Sequence, residues 1–312
     1  MTNAAGFSRA RRGGAATAGD VHARRRGQIA VMAAALAWST AGPLQRLLEV
    51  DSATQVAGRA LFAMIALAAY VTFVERAPLV GACRGIGRWG LAFAACAAAA
   101  SGAFIVALNH TTVANVLFIQ AASPVIAAVL AWAFLGERCA PRMWVAIALA
   151  LVGVTVMIGA PGGGSLFGDL IAVVMMLAFS VGLVITRYRR DISMAPGTAI
   201  AQVMLVVVAA PLSSPGSVDA GDWLVLVLLG FFQIGLGLAL LTIGARLLPA
   251  AEVAVITLLE VVLGPLWVWL AFREEPGTGA IVGGMIVMVA VAIQAMGGLG
   301  ARRRSASTPA TD

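Results

Sequence analysis

The sequence contains no lysine: all 21 of its basic residues are arginine. A Schiff-base lysine and the lysine of a phosphate-binding loop are both excluded. Histidine occurs twice, as His22 and His110, and cysteine three times, as Cys83, Cys96 and Cys139, without a CxxC pair. Such an inventory supplies no zinc cluster, disulfide framework or redox pair, so neither a metal nor a cofactor is expected. Charge is scarce as well. Charged residues make up 11% of the chain and hydrophobic ones 61%, whereas about a quarter of a soluble domain is charged. The composition is that of a multi-pass membrane protein. A net charge of +7 would suggest nucleic acid in a soluble chain. Here arginines gathered on one side of a bilayer account for it, and no nucleic-acid partner is expected.

Apolar stretches predict ten spans, near residues 28–48, 53–74, 88–108, 111–135, 142–160, 166–186, 196–212, 223–244, 250–271 and 277–297. The seventh is the weakest, short and bracketed by Pro196 and Pro211. Residues 1–27 read as a disordered, basic tail, and 298–312 as a second tail. The ARRRGQ segment also fits a cleaved signal, but a cytoplasmic tail before an uncleaved first helix suits the nine spans that follow. With both termini inside, 18 arginines fall on the cytoplasmic side, against Arg46 and Arg273 outside and Arg59 within a span. Both termini are therefore expected in the cytoplasm of a cell bounded by this inner membrane. Cys83 and Cys139 then lie in cytoplasmic loops as free thiols.

Two stretches resemble each other. Residues 109–137 carry Asn115, Gln120, Ser123 and Pro124 within an otherwise apolar run, and 246–274 repeat the outline after a shift of 137. Gln120 then meets Thr257, Ser123 meets Glu260, Trp132 meets Trp269, and Glu137 meets Glu274. Upstream, Trp38-Ser39 with Arg46 returns 141 residues later as Phe179-Ser180 with Arg187, and Arg59 falls near Gln202 at a shift of 143. Two copies of five spans, an odd number, must sit with opposite topology. The copies are 28–160 and 166–297, and the glycine-rich GAPGGGS stretch at 159–165 joins them.

Ser123-Pro124-Val125 leading to Phe134-Leu135-Gly136-Glu137, with Leu259-Glu260-Val261 and Phe272-Arg273-Glu274 in the second copy, carry a family resemblance. The chain resembles ten-helix members of the drug/metabolite transporter superfamily, in its EamA group. The resemblance implies two inverted five-helix repeats, a central cavity, and alternating access for small metabolites, often by export. Two departures concern helix-kink geometry. The family's Leu-Glu-Pro is Leu259-Glu260-Val261 here, with Pro265 one turn on, and the Gly-Glu ending becomes Arg273-Glu274.

Glu260 is the sharpest candidate, because an ionisable group in mid-span is costly unless it faces a cavity or a partner. It reads as a substrate contact or proton carrier, against a structural carboxylic acid bonded between helices. Gln120, Ser123 and Asn115, with Thr257 opposite, read as path-lining residues or as interhelical hydrogen-bonding groups. Arg59 could attract an anionic group, snorkel outward, or pair with Glu49 or Asp51. Trp38 and Trp132 could form apolar cavity walls, while Trp267 and Trp269 suit packing or an interfacial belt. Glu137 reads as a surface ion pair with Arg138 and Arg142, and Glu252 as an acid at a helix N-terminus.

These readings predict an all-α polytopic membrane protein of ten transmembrane helices. Its expected work is secondary transport of a small amino-acid-like or amphipathic metabolite, directed outward, with a proton as the coupling ion. A non-transporting sensor or scaffold is the alternative. A membrane-embedded lipid-modifying enzyme fits less well, since no span holds a His with nearby carboxylates.

Overall fold

A computed structural model describes residues 18–45, 47–111, 113–137, 139–158, 165–273 and 278–296. Among these residues every regular element is helical and no strand occurs. The first half contains α1 (Ala18–Ser39), α2 (Ala41–Gln45), α3 (Ser52–Ala69), α4 (Leu79–Gly85), α5 (Gly87–His110), α6 (Val113–Gln120), α7 (Ser123–Leu135) and α8 (Pro141–Ile158). The second contains α9 (Leu166–Tyr188), α10 (Ala195–Ala209), α11 (Ala220–Leu228), α12 (Gly237–Leu247), α13 (Ala250–Thr257), α14 (Leu259–Phe272) and α15 (Thr278–Met296). A π-helical turn, Tyr70–Val74, extends α3, and a longer one, Leu229–Leu236, joins α11 to α12.

Seven of the helical stretches are long and apolar enough to cross a bilayer: Ser52–Val74, Gly87–Ala107, Asn115–Leu135, Leu166–Tyr188, Ala195–Leu212, Ala220–Leu247 and Ala250–Ala271. Pro141–Val156 and Ile281–Ile293 are apolar but shorter. The first helix is apolar only in its second half, because Arg24, Arg25 and Arg26 occupy the first. It also begins at Ala18, ahead of the span start expected near residue 28. The cause is tertiary: Arg24 and Gln28 are both held by Glu252, so this part of the chain is helical rather than a disordered tail. The weak seventh stretch reaches Leu212 because a 3-10 turn, Ala210–Leu212, continues α10 through Pro211.

Both stretches that resemble each other are interrupted at the matched place. In the first, α6 ends at Gln120 and α7 begins at Ser123; in the second, α13 ends at Thr257 and α14 begins at Leu259. Each break is a tightening to i→i−3 bonds: Ala122 N–H to Ile119 O at 3.1 Å in one, Leu258 N–H to Val255 O at 3.2 Å in the other. Pro124 enforces the first break by lacking an N–H. Val261 stands in its place in the second copy, and the helix breaks there all the same. The ends of these helices match too. Gly136 closes α7 with φ of 65°, and Arg273 closes α14 in the same left-handed region with φ of 58°.

Packing is built on small residues. A side chain at Gly244 of α12 would come within 2.2 Å of Val31 Cγ2 on α1. At Gly230 it would meet Phe62 Cβ of α3 at 2.3 Å, so the π-helical segment lies directly on α3. The main core joins α1, α7, α8, α12, α13 and α15 through residues such as Val31, Ala128, Ala150, Leu241, Ile256 and Val287. Outward, Phe73, Phe134, Leu166 and Leu212 are each more than two-thirds exposed, as side chains facing acyl chains are.

Candidate functional site

A vestibule of about 1160 Å3 opens at one end of the bundle, where α1 begins, α7, α9 and α12 end, and α8 and α13 begin. It reaches inward to Ala131 on α7 and Thr242 on α12. Six arginines line it (Arg24, Arg26, Arg142, Arg187, Arg190 and Arg246) with four acids, Glu75, Glu137, Asp191 and Glu252. Several are paired. Arg24 Nη2 donates to both oxygens of Glu252, at 2.9 and 3.0 Å, and Gln28 Nε2 adds a bond of 2.9 Å. Arg187 Nε donates to Glu137 Oε1 at 2.8 Å. The mouth therefore offers charge of both signs with cations in excess. Outside the spans, hydrogen bonds from Arg189 hold the Asp191 carboxyl below its usual range. Burial, with the Glu137 carboxylate second, pushes the Cys139 thiol up, so it remains a protonated free thiol.

Deeper in the bundle, the two helix breaks are bridged directly: Gln120 Nε2, at the end of α6, donates to Glu260 Oε1, at the start of α14. Ser123 lies about 12 Å beyond Ala131 along α7, so this bond sits above the vestibule rather than in its wall. None of Glu260, Gln120, Ser123, Asn115, Thr257, Trp38 and Arg59 lines the vestibule. Ser123 is buried, and its carbonyl accepts from Ser180 Oγ at 3.4 Å. Thr257, also buried, donates to Ala254 O of its own helix at 2.9 Å. Trp38 packs edge-on against Phe179, ring centroids 6.3 Å apart.

Asn115 lies nearer the opposite end, where its Nδ2 donates to Asp169 Oδ1 at 3.0 Å beside the bond from Thr111 Oγ1 at 2.6 Å. Arg59 is buried on α3 and donates to Gln233 Oε1 of the π-helical segment at 3.3 Å. No bond joins it to Glu49 or Asp51 among the described residues, and the Asp51 carboxylate is engaged elsewhere. Glu49 donates its backbone N–H to Asp222, and Asp51 caps α3 through Thr54. Of the tryptophans, Trp132 and Trp269 face outward and Trp267 Nε1 donates to Ser39 Oγ at 2.8 Å. Glu137 bonds to Arg187 across helices; Arg138, one of its expected partners, lies outside the described residues, as do Arg46 and Glu274.

Sequence reading missed Glu252 as an interhelical residue. It does stand in the first turn of α13, as expected, but it is 1% exposed and tied to α1. One signal was available in the repeat itself. A shift of 137 places Glu252 on Asn115, and a shift of 141 places Gln28 on Asp169. Those two pairs make the same kind of contact at opposite ends of the bundle, Gln28 to Glu252 and Asn115 to Asp169.

The EamA-like transporter family model matches twice, over residues 25–159 and 166–296. The chain belongs to the EamA-like transporter family. Its two matched segments coincide with the two halves that carry the repeated breaks, so this EamA-like chain has the family's two-repeat architecture. No curated protein matches it. Among 29 chains of solved structures that match, one crystal structure of a protein covers 90% of this chain and 100% of its own, with TM-score 0.76 and 19% identity. That degree of likeness bears on the fold alone.

Proposed function

We propose that this EamA-like protein is a secondary transporter that moves small amino-acid-like or amphipathic metabolites outward by alternating access, with a proton as the coupled ion. The carrying observation is the hydrogen bond between Gln120 and Glu260, which joins the two matched helix breaks above a vestibule open at one end. Broken helices at a repeat interface free backbone groups for a solute and allow each half-helix to tilt.

The ten expected spans form two inverted repeats of five in this reading, with ten crossings including α1, α8 and α15. Helix direction supports it: α1 starts and α9, its repeat counterpart, ends at the same vestibule. So do residues that meet their own counterparts, as Trp38 meets Phe179, since positions on a two-fold axis are brought to themselves. The arginine-rich vestibule is then cytoplasmic, in keeping with the 18-against-two distribution.

Two units are held together internally. One is α6–α7 with α9, tied by Asp169 at one end and by Glu137–Arg187 at the other. The second is α1 with α13–α14, tied by Glu252 and by Trp267–Ser39. The Gln120–Glu260 bond spans the joint between them, and rocking of one unit against the other moves access from side to side. Solute enters past mixed charges suited to a zwitterion, and Glu260 gives up or takes a proton as the joint opens.

Purified protein in liposomes, screened by counterflow against amino acids and related amphipathic solutes across pH 5.5 to 8, tests this. Glu260→Gln should fold and insert normally while losing net flux or the pH dependence of flux. Unchanged flux at every pH would remove proton coupling through Glu260, and absence of counterflow for every solute class would remove the transport reading.

A further inference from the structure

We propose that Arg59 and Gln202 hold a single monatomic anion of the halide class inside the bundle, apart from the vestibule. Arg59 on α3 is 5% exposed, and beyond its bond to Gln233 its Nε and Nη1 have no partner. Gln202 on α10 is 1% exposed, and neither atom of its amide has a partner. Both border one cavity of about 10 Å3, together with Ser101 of α5; the remaining lining is aliphatic. The four unsatisfied polar atoms thus belong to two residues that border a space of roughly one atom.

No acid lines that space. Acidic groups on the elements packed around Arg59 are engaged at the rim: Asp51 with Thr54, Asp219 with the start of α11, and Asp222 with the Glu49 N–H. A guanidinium kept from water without a counter-charge is strongly unfavourable, and buried charges are ordinarily paired. A water molecule would bond to the free N–H groups and leave the charge uncompensated. A carboxylate brings a carbon skeleton for which a cavity of this size has no room. A halide meets both demands, accepting from Arg59 Nε and Nη1, from the Gln202 NH2 group turned inward, and from the Ser101 hydroxyl.

The test uses the full chain in detergent, with sodium chloride, bromide or gluconate at constant ionic strength. Chloride and bromide should raise the thermal midpoint by a few degrees, saturably, and gluconate should not. Arg59→Met should abolish the response. If that variant does not fold, Gln202→Met, which keeps the volume, should still fold and shift the half-saturating chloride concentration upward at least several-fold. Bromide should give an anomalous peak between the two side chains in crystals of the protein. Equal midpoints in chloride and gluconate, a halide response unaltered in Gln202→Met, or bromide lodged only elsewhere would each overturn the proposal, the first leaving water as the occupant.

Discussion

Replacing Arg24 by methionine removes a cation paired with Glu252 while leaving that carboxylate in place. Glu252 is 1% exposed and accepts two bonds from Arg24, at 2.9 and 3.0 Å, and one from Gln28. Removing one member of a buried pair costs about 3–5 kcal/mol, because the other charge is stranded. The Arg24 side chain is 26% exposed at the vestibule, so water reaches part of the site and the lower figure, about 3 kcal/mol, is expected. Glu252→Gln differs in kind. The amide keeps a bond to Gln28, and Arg24 can turn into the vestibule, so about 1 kcal/mol is expected. Equilibrium unfolding in mixed detergent–SDS micelles reads both values. The double variant should cost less than the sum of the two, since each change removes the same pair. If Arg24→Met costs under about 1 kcal/mol, or Glu252→Gln costs as much as Arg24→Met, then Glu252 does not fasten α1 to α13 in the manner described.

Three other outcomes are expected. Gly244→Val should destabilise the bundle by about 2–3 kcal/mol in the same unfolding assay, because the new side chain meets Val31 at 2.2 Å and the Gly27 carbonyl at 3.1 Å. Asp51→Ala should cost about 1 kcal/mol through loss of the cap on α3. Bonds from Thr54 hold the Asp51 carboxyl below its ordinary value of 3.8, so the wild-type advantage is complete above that pH and disappears only as pH falls through the lower folded value. Reporter fusions after residue 300 should read as cytoplasmic and those near residue 163 as external; termini found on opposite sides would overturn the ten-span topology.

Much of the fold was legible because membrane spans and the repeat are written in composition and spacing. Gln120 and Glu260 were singled out from the sequence, and their contact joins the two breaks. Other features were hidden for physical reasons. Val261 gives no proline signal, yet α13 ends where α6 does, since tertiary packing sets the break as much as local sequence. Arg273 takes the left-handed cap that Gly136 takes, at a steric cost that spacing cannot reveal. The vestibule escaped notice because arginines at helix ends first suggest orientation, and nothing in a one-dimensional pattern places Arg24 against Glu252.

The proposed inverted repeat also separates contacts by what they can do. Contacts formed at both symmetry-related places belong to units that keep their shape in either facing state. Gln28–Glu252 and Asn115–Asp169 are such a pair, one at each end of the bundle. Gln120–Glu260 is different. Its counterpart would join Thr257 to Ser123, but the Thr257 hydroxyl donates to Ala254 of its own helix. The joint is therefore asymmetric, and an asymmetric contact between symmetric units has a different value in the two facing states. In the proposed cycle, closing the vestibule and opening the opposite side would bring Thr257 and Ser123 together as Gln120 and Glu260 part. The carboxyl would then lose its amide donor, so its hydrogen-bonding partner would differ between the two facing states. The proposed coupling rests on that difference, which exists because one copy has a glutamate where the other has a serine.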